Sequence, residues 1–112
     1  MAFTTTLEIN NGIAKIQLVG ELDASSAPIL KTEIEQAAAQ NPKRLVLLMQ
    51  DLEYMSSAGL RVLIFAKQKM GADKDIFIIG LQEMVHDTLT KTGYDQSVII
   101  LDEYDANQIE NV

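Results

Sequence analysis

Residues 45–70 read LVLLMQDLEYMSSAGLRVLIFAKQKM, and this stretch decides the fold. Leu45 to Met49 is a nearly continuous apolar run, the pattern of a central strand covered on both faces. Asp51 to Ala58 reads as the next connection, and Gly59 to about Met70 carries apolar residues at helical spacing until Gly71, a residue suited to closing a helix. On that helix Leu60, Leu63, Ile64 and Met70 are expected to face inward, while Arg61, Phe65 and Gln68 share another side. Phe65 reads equally well as a partner contact or as part of the core. Lys67 falls inside the apolar arc, where its stem can snorkel to solvent.

Upstream, residues 5–9 and 13–19 alternate around Asn10, Asn11 and Gly12, which predicts a short hairpin. After Gly20 the segment ELDASSAP supplies polar caps and a proline, and Ala27, Leu30, Ile34, Ala37 and Ala38 then recur at helical spacing, giving a first helix over 27–39. Asn41 and Pro42 end it, and Lys43 and Arg44 are expected to face solvent. Downstream, residues 76–79 (IFII) form a short buried strand, and Leu81, Met84, Val85 and Leu89 share one face of a helix that closes at Gly93. Residues 98–101 make a last strand. The tail DEYDANQIENV suits a short fourth helix with Tyr104, Ile109 and Val112 as docking groups. The order is therefore β-β-α-β-α-β-α-β-α, an α/β chain with about five strands and four helices in a small mixed sheet.

With 112 residues, 47% of them hydrophobic, the chain reads as a single domain over 1–112 with one core and no interdomain cleft. Nine Lys and Arg against 16 Asp and Glu give a net charge of −7, which opposes attraction to nucleic acid or an anionic membrane and favours a protein partner. The absence of cysteine excludes disulfides, a thiolate nucleophile and sulfur-ligated zinc. No apolar run approaches the length of a membrane span, and the N-terminus lacks the marks of a signal peptide, so a cytoplasmic protein is expected.

The adjacent serines of MSSAG stand where a connection meets a helix N-terminus. Ser56 or Ser57 can cap free N–H groups, and Ala58 with Gly59 lets another surface approach the backbone. A phosphate on Ser57 would also meet the positive end of the helix, so the fold would tolerate it. If the second and third strands are adjacent, Glu21, Asp23 and Glu53 place an acidic rim nearby. At about 10 Å in water a doubly charged phosphate and one such carboxylate repel by only about 0.8 kcal/mol, whereas burying the phosphate without a counter-charge costs several kcal/mol. Asp23 reads either as an acidic cap or as a receiver of a polar or arginine group from a partner beside Ser57.

Catalytic readings are weaker. MSSAG lacks the first glycine of a nucleophile elbow, and His86 is the single imidazole, placed on a different helix. Asp73 and Asp75 flank a turn without a full set of oxygen ligands, and neither glycine-rich nucleotide-binding motif is present. No cofactor and no metal are assigned.

GELDASSAP at 20–28 together with DLEYMSSAGLRVLIFA at 51–66 resembles the STAS family, particularly bacterial anti-sigma factor antagonists. The resemblance covers almost the whole chain. It implies a non-enzymatic switch that binds an anti-sigma factor or switch serine kinase, is released when Ser57 is phosphorylated from ATP, and is restored by a separate serine phosphatase. Family contact positions fall on Asp23, Ser56, Ser57, Gly59 and Leu60, with Arg61 at the rim. Many members have aspartate where this chain has Ser56, which leaves two adjacent acceptors. The same resemblance also admits a soluble, non-catalytic subunit supporting a lipid or anion transport ATPase.

Overall fold

In the computed structural model, which describes residues 2–71 and 73–110, five strands form one sheet in the order β1-β2-β3-β4-β5. β1 (Thr4–Asn10) and β2 (Ile13–Leu22) are the expected antiparallel hairpin, and β2, β3 (Arg44–Met55), β4 (Asp75–Ile79) and β5 (Ile99–Leu101) run parallel. The helices are α1 (Ala27–Ala39), α2 (Ser57–Met70), α3 (Glu83–Thr92) and the short α4 (Ala106–Ile109). A 3₁₀ turn at Tyr94–Gln96 links α3 to β5.

The strand alternation sorts the core into two faces. Ala14, Ile16 and Leu18 of β2, Leu45, Leu47 and Met49 of β3, and Ile76 and Ile78 of β4 pack with the apolar faces of α1, α2 and α3. The intervening Ile13, Val46, Phe77 and Ile79 form a second cluster with Ile109 of α4, and Leu48, Ile99, Leu101 and Tyr104 pack against it. The apolar run at 45–49 is thus covered on both sides, by three helices on one and by residues of the tail on the other.

Four expectations change. β3 continues to Met55, where the sequence suggested a connection from Asp51, because its second half keeps pairing with β2 through Leu22↔Met55 after β4 has ended. α2 accordingly starts at Ser57 rather than Gly59. Ile64 and Met84, expected inward, are 41% and 60% exposed, since Val62 and Ala66 complete the inner face of α2, and Val85 and Leu89 suffice for the short α3. Arg44 does not simply face solvent. Its Nη1 donates to the carbonyls of Gln108 and Ile109, and its guanidinium lies 5.6 Å from the Phe77 ring centroid.

Arg44 therefore fastens the tail to the second face of the sheet. Lys15 adds to this, with its Nζ 4.5 Å from the Tyr104 ring centroid and 3.6 Å from the Glu110 carboxylate. Asp105 caps α4 by accepting from the Asn107 N–H at 3.1 Å. Tyr104 and Ile109 dock as expected, while Val112 lies outside the described residues. Arg44→Ala is expected to raise amide exchange across residues 105–109 while exchange in α1 and α2 stays as in the parent. Hydrogen-exchange mass spectrometry checks this.

Lys67 also finds its reason: Nζ donates to the Lys74 carbonyl at 2.9 Å and closes the turn from α2 to β4. The hydroxyl of buried Tyr94 donates to the Leu63 carbonyl at 2.7 Å, and burial pushes this phenol well above the ordinary tyrosine range. A phenol whose folded pKa is raised contributes stability that is complete below about pH 10 and declines as pH rises beyond it. Tyr94→Phe is expected to cost about 1 kcal/mol at neutral pH through the lost hydrogen bond and to flatten the alkaline decline, as followed by denaturant melts between pH 8 and 11.

Candidate functional site

The parallel pairing of β2 with β3 brings the two sequence motifs together. Ser56 N–H donates to the Leu22 carbonyl at 2.8 Å, so the chain leaving β2 at Asp23 lies beside the chain entering α2. Gly20, at the head of the first motif, has φ +102, and a Cβ there would meet the Ala2 carbonyl oxygen at 2.5 Å. Only glycine combines that backbone geometry with so close a neighbour. It sits at a register shift between β2 and β3, ahead of the turn that carries Asp23.

The β2–α1 turn is internally bonded. Asp23 Oδ1 accepts from the Ser25 hydroxyl at 2.7 Å and from the Ser25 and Ser26 N–H groups at 3.0 and 3.1 Å. These bonds, that of the Ser25 hydroxyl first, hold the carboxyl below the usual aspartate range. Buried Ser26 accepts from Asp23 N–H and lies 2.9 Å from the Glu21 carbonyl, so its hydroxyl closes the turn instead of capping α1. Asp23 therefore has the structural role of an acidic turn, and it is half-buried beside the α2 entrance.

The two serines have different environments. Ser56 is half-buried and is the N-cap of α2, its Oγ accepting from Gly59 N–H at 3.3 Å. Ser57 is the first residue of the helix and is exposed. Gly59 and Leu60 lie beneath this surface, both buried, and a Cβ on Gly59 would stand 2.6 Å from Leu22 Cγ. The helix thus seats directly on the end of β2, and these two residues hold the surface from below. Arg61 is exposed on the next turn and lines a groove of about 260 Å³ between α1 and α2 with Lys31, Ala58, Val62 and Phe65. Phe65 packs against the core while half-buried in this groove, and Lys31 Nζ sits 5.0 Å from its ring centroid.

A larger groove, about 560 Å³, lies where β3 meets α3 and is lined by Glu53, Glu83, Met84 and Asp87 among others. Gln82, Thr88 and Lys91 complete its lining. His86 is exposed on α3, and among the described residues no cluster of His, Cys, Asp or Glu is arranged to hold a metal ion. No helix among them is long and apolar enough to cross a membrane.

A parallel-centred sheet with three helices on one face and a short fourth on the other, and a serine pair at the entrance of the helix after the central strand, defines a STAS architecture. The STAS domain family model matches residues 4–107, and the chain belongs to this family. It is 26% identical over 96 residues to the anti-sigma-F factor antagonist RsfB of Mycobacterium tuberculosis, a match covering 86% of this chain and 79% of that protein. Its fold is similar to that of an anti-sigma factor antagonist from Mycobacterium paratuberculosis, with a TM-score of 0.88 at 23% identity over 97% of this chain and 95% of that one. It is also similar in fold to the phosphorylated form of the Bacillus cell fate determinant SpoIIAA, with a TM-score of 0.72 at 16% identity over 98% of each chain.

Proposed function

We propose that the chain is an anti-sigma factor antagonist that works by partner switching. Unmodified, it docks on an anti-sigma factor or switch serine kinase through Asp23, Ser56, Ser57 and Arg61, with Gly59 and Leu60 shaping the surface from beneath. The single observation that carries this reading is the contrast within the serine pair: Ser56 is spent as a half-buried cap, whereas Ser57 offers an exposed hydroxyl. A charge added there lies at the positive end of α2 and leaves the core untouched. The similarity to RsfB and the fold shared with a phosphorylated SpoIIAA support the same reading.

In the modification step the γ-phosphoryl group of ATP moves to Ser57 Oγ on the kinase. The Oγ–P bond forms, the bond to the ADP oxygen breaks, and the hydroxyl proton passes to a base of the kinase. A serine phosphatase hydrolyses the ester and returns the binding form. The chain is substrate and ligand in this cycle, catalyses nothing, needs no cofactor and acts in the cytoplasm. Exposure to the cognate kinase with ATP, followed by phosphopeptide mass spectrometry, is expected to place the phosphate on Ser57, and modification confined to Ser56 overturns the assignment. Co-purification with an ATP-binding transporter in place of an anti-sigma factor would move the chain to a transport-associated role.

A further inference from the structure

We infer that Arg61 is the intramolecular receptor of a phosphate on Ser57, so that modification withdraws a free cation from the docking face as well as adding charge to it. This deepens the proposed function and rests on it for the identity of the modified serine.

Ser57 and Arg61 are four residues apart on α2, a continuous helix of 14 residues. Side chains at that spacing meet on one face, and an anion placed N-terminal to a cation is the favourable order. The chain has two arginines, and they differ in commitment. Arg44 is bonded to the tail carbonyls, while Arg61, among the described residues, makes no hydrogen bond or ion pair. Its guanidinium is therefore available without breaking an existing contact.

The surroundings give the phosphate a direction. Glu21, Asp23 and Glu53 stand on the strand ends and turn beside α2. The groove between α1 and α2 begins at Ala58, the neighbour of Ser57, and contains Arg61 and Lys31. In a chain of net charge −7, this is a local concentration of cations. Attraction to the cations of this groove turns the phosphate toward Arg61. The planar guanidinium can then donate two parallel N–H bonds to phosphate oxygens, a geometry that a lysine ammonium does not reproduce.

The unmodified face thus presents a free guanidinium to a partner carboxylate, and the modified face presents one already neutralised. Pairing offsets part of the burial cost of the phosphate, but it also takes from the partner the guanidinium it would have bound, so release draws on a lost contact as well as on the remaining negative charge.

The test uses the full chain with phosphoserine incorporated at position 57 during synthesis, and follows the ³¹P chemical shift through a pH titration. Pairing stabilises the dianion, so the second ionisation is expected below the ordinary value of about 6 and should rise by about half a pH unit in Arg61→Ala. Arg61→Lys should fall between the two, and Lys31→Ala should move the midpoint less than Arg61→Ala. Coincident midpoints for the parent and Arg61→Ala overturn the inference. Because Arg61 is exposed, the unmodified variants should keep the parent amide spectrum and report on charge alone. The titration needs no partner and no kinase, so its failure is separate from a failure of partner switching, which the phosphopeptide and binding experiments read.

Discussion

Phosphorylation of Ser57 is expected to weaken binding to the anti-sigma partner by about 100-fold or more, since a phosphate of nearly two charges stays net negative even when paired with Arg61, burying it without a partner counter-charge costs several kcal/mol, and each 1.4 kcal/mol is a factor of ten. Long-range repulsion cannot supply this. A carboxylate about 10 Å away contributes about 0.8 kcal/mol, roughly a fourfold effect, and salt reduces it further. The two origins separate experimentally. Calorimetric titration of the partner at low and at high ionic strength should show a loss that persists in salt, while a loss removed by salt assigns the switch to the acidic rim. Ser57→Ala, which loses one exposed hydroxyl and adds no charge, should stay close to the parent in affinity, and Ser57→Asp, with one charge instead of nearly two, should fall between it and the phosphorylated form. The fold should be indifferent or slightly stabilised, because a negative charge in the first turn of a helix is worth about 0.3 to 1 kcal/mol in its favour. Equal affinity of the modified and unmodified forms for the partner would sink the proposed function.

The second large effect concerns Gly59. Alanine usually improves a helix over glycine by about 1 kcal/mol, so Gly59→Ala would stabilise the protein if propensity ruled. Here the added Cβ stands 2.6 Å from Leu22 Cγ and 2.8 Å from its Cδ2, with the Leu22 carbonyl oxygen at 3.2 Å behind them. Overpacking of this kind costs about 1 to 3 kcal/mol, which outweighs the gain and forces α2 away from β2. Gly59→Ala should therefore lower the midpoint of urea unfolding and, by displacing Ser57 relative to Asp23, weaken partner binding as well. Leu22→Ala alone leaves a cavity, but combined with Gly59→Ala it removes the collision, so the pair should be less destabilising than the sum of the two. Strict additivity in that cycle would mean that the helix does not rest on Leu22 in the way described.

The order of elements was legible because most of the signals are local. Leu45 to Met49 announces the central strand, and α1 has the bounds that its spacing and Pro28 suggest. What escaped is non-local. QDLEYM carries too many polar residues to read as strand, and it becomes one because β2 extends alongside it. Arg44 looks like a solvated cation until residues 64 and 65 positions later dock against it. Ile64 illustrates a different limit: on a helix apolar nearly all round, spacing alone cannot choose which residue is left outside. At the site, the motifs gave the serine pair and its neighbourhood to Asp23, but only the backbone geometry separates Ser56 as cap from Ser57 as exposed hydroxyl.

The second face of the sheet has a consequence for biosynthesis. The last strand is complete at Leu101, yet Ile13, Val46, Phe77 and Ile79 gain the cover of Ile109 only when later residues have been made. A nascent chain paused between those points carries an assembled sheet with one bare apolar side, the kind of species that chaperones bind and that aggregates when they are scarce. Tyr104 and Ile109 are in this sense the residues that make the finished sheet safe from that fate.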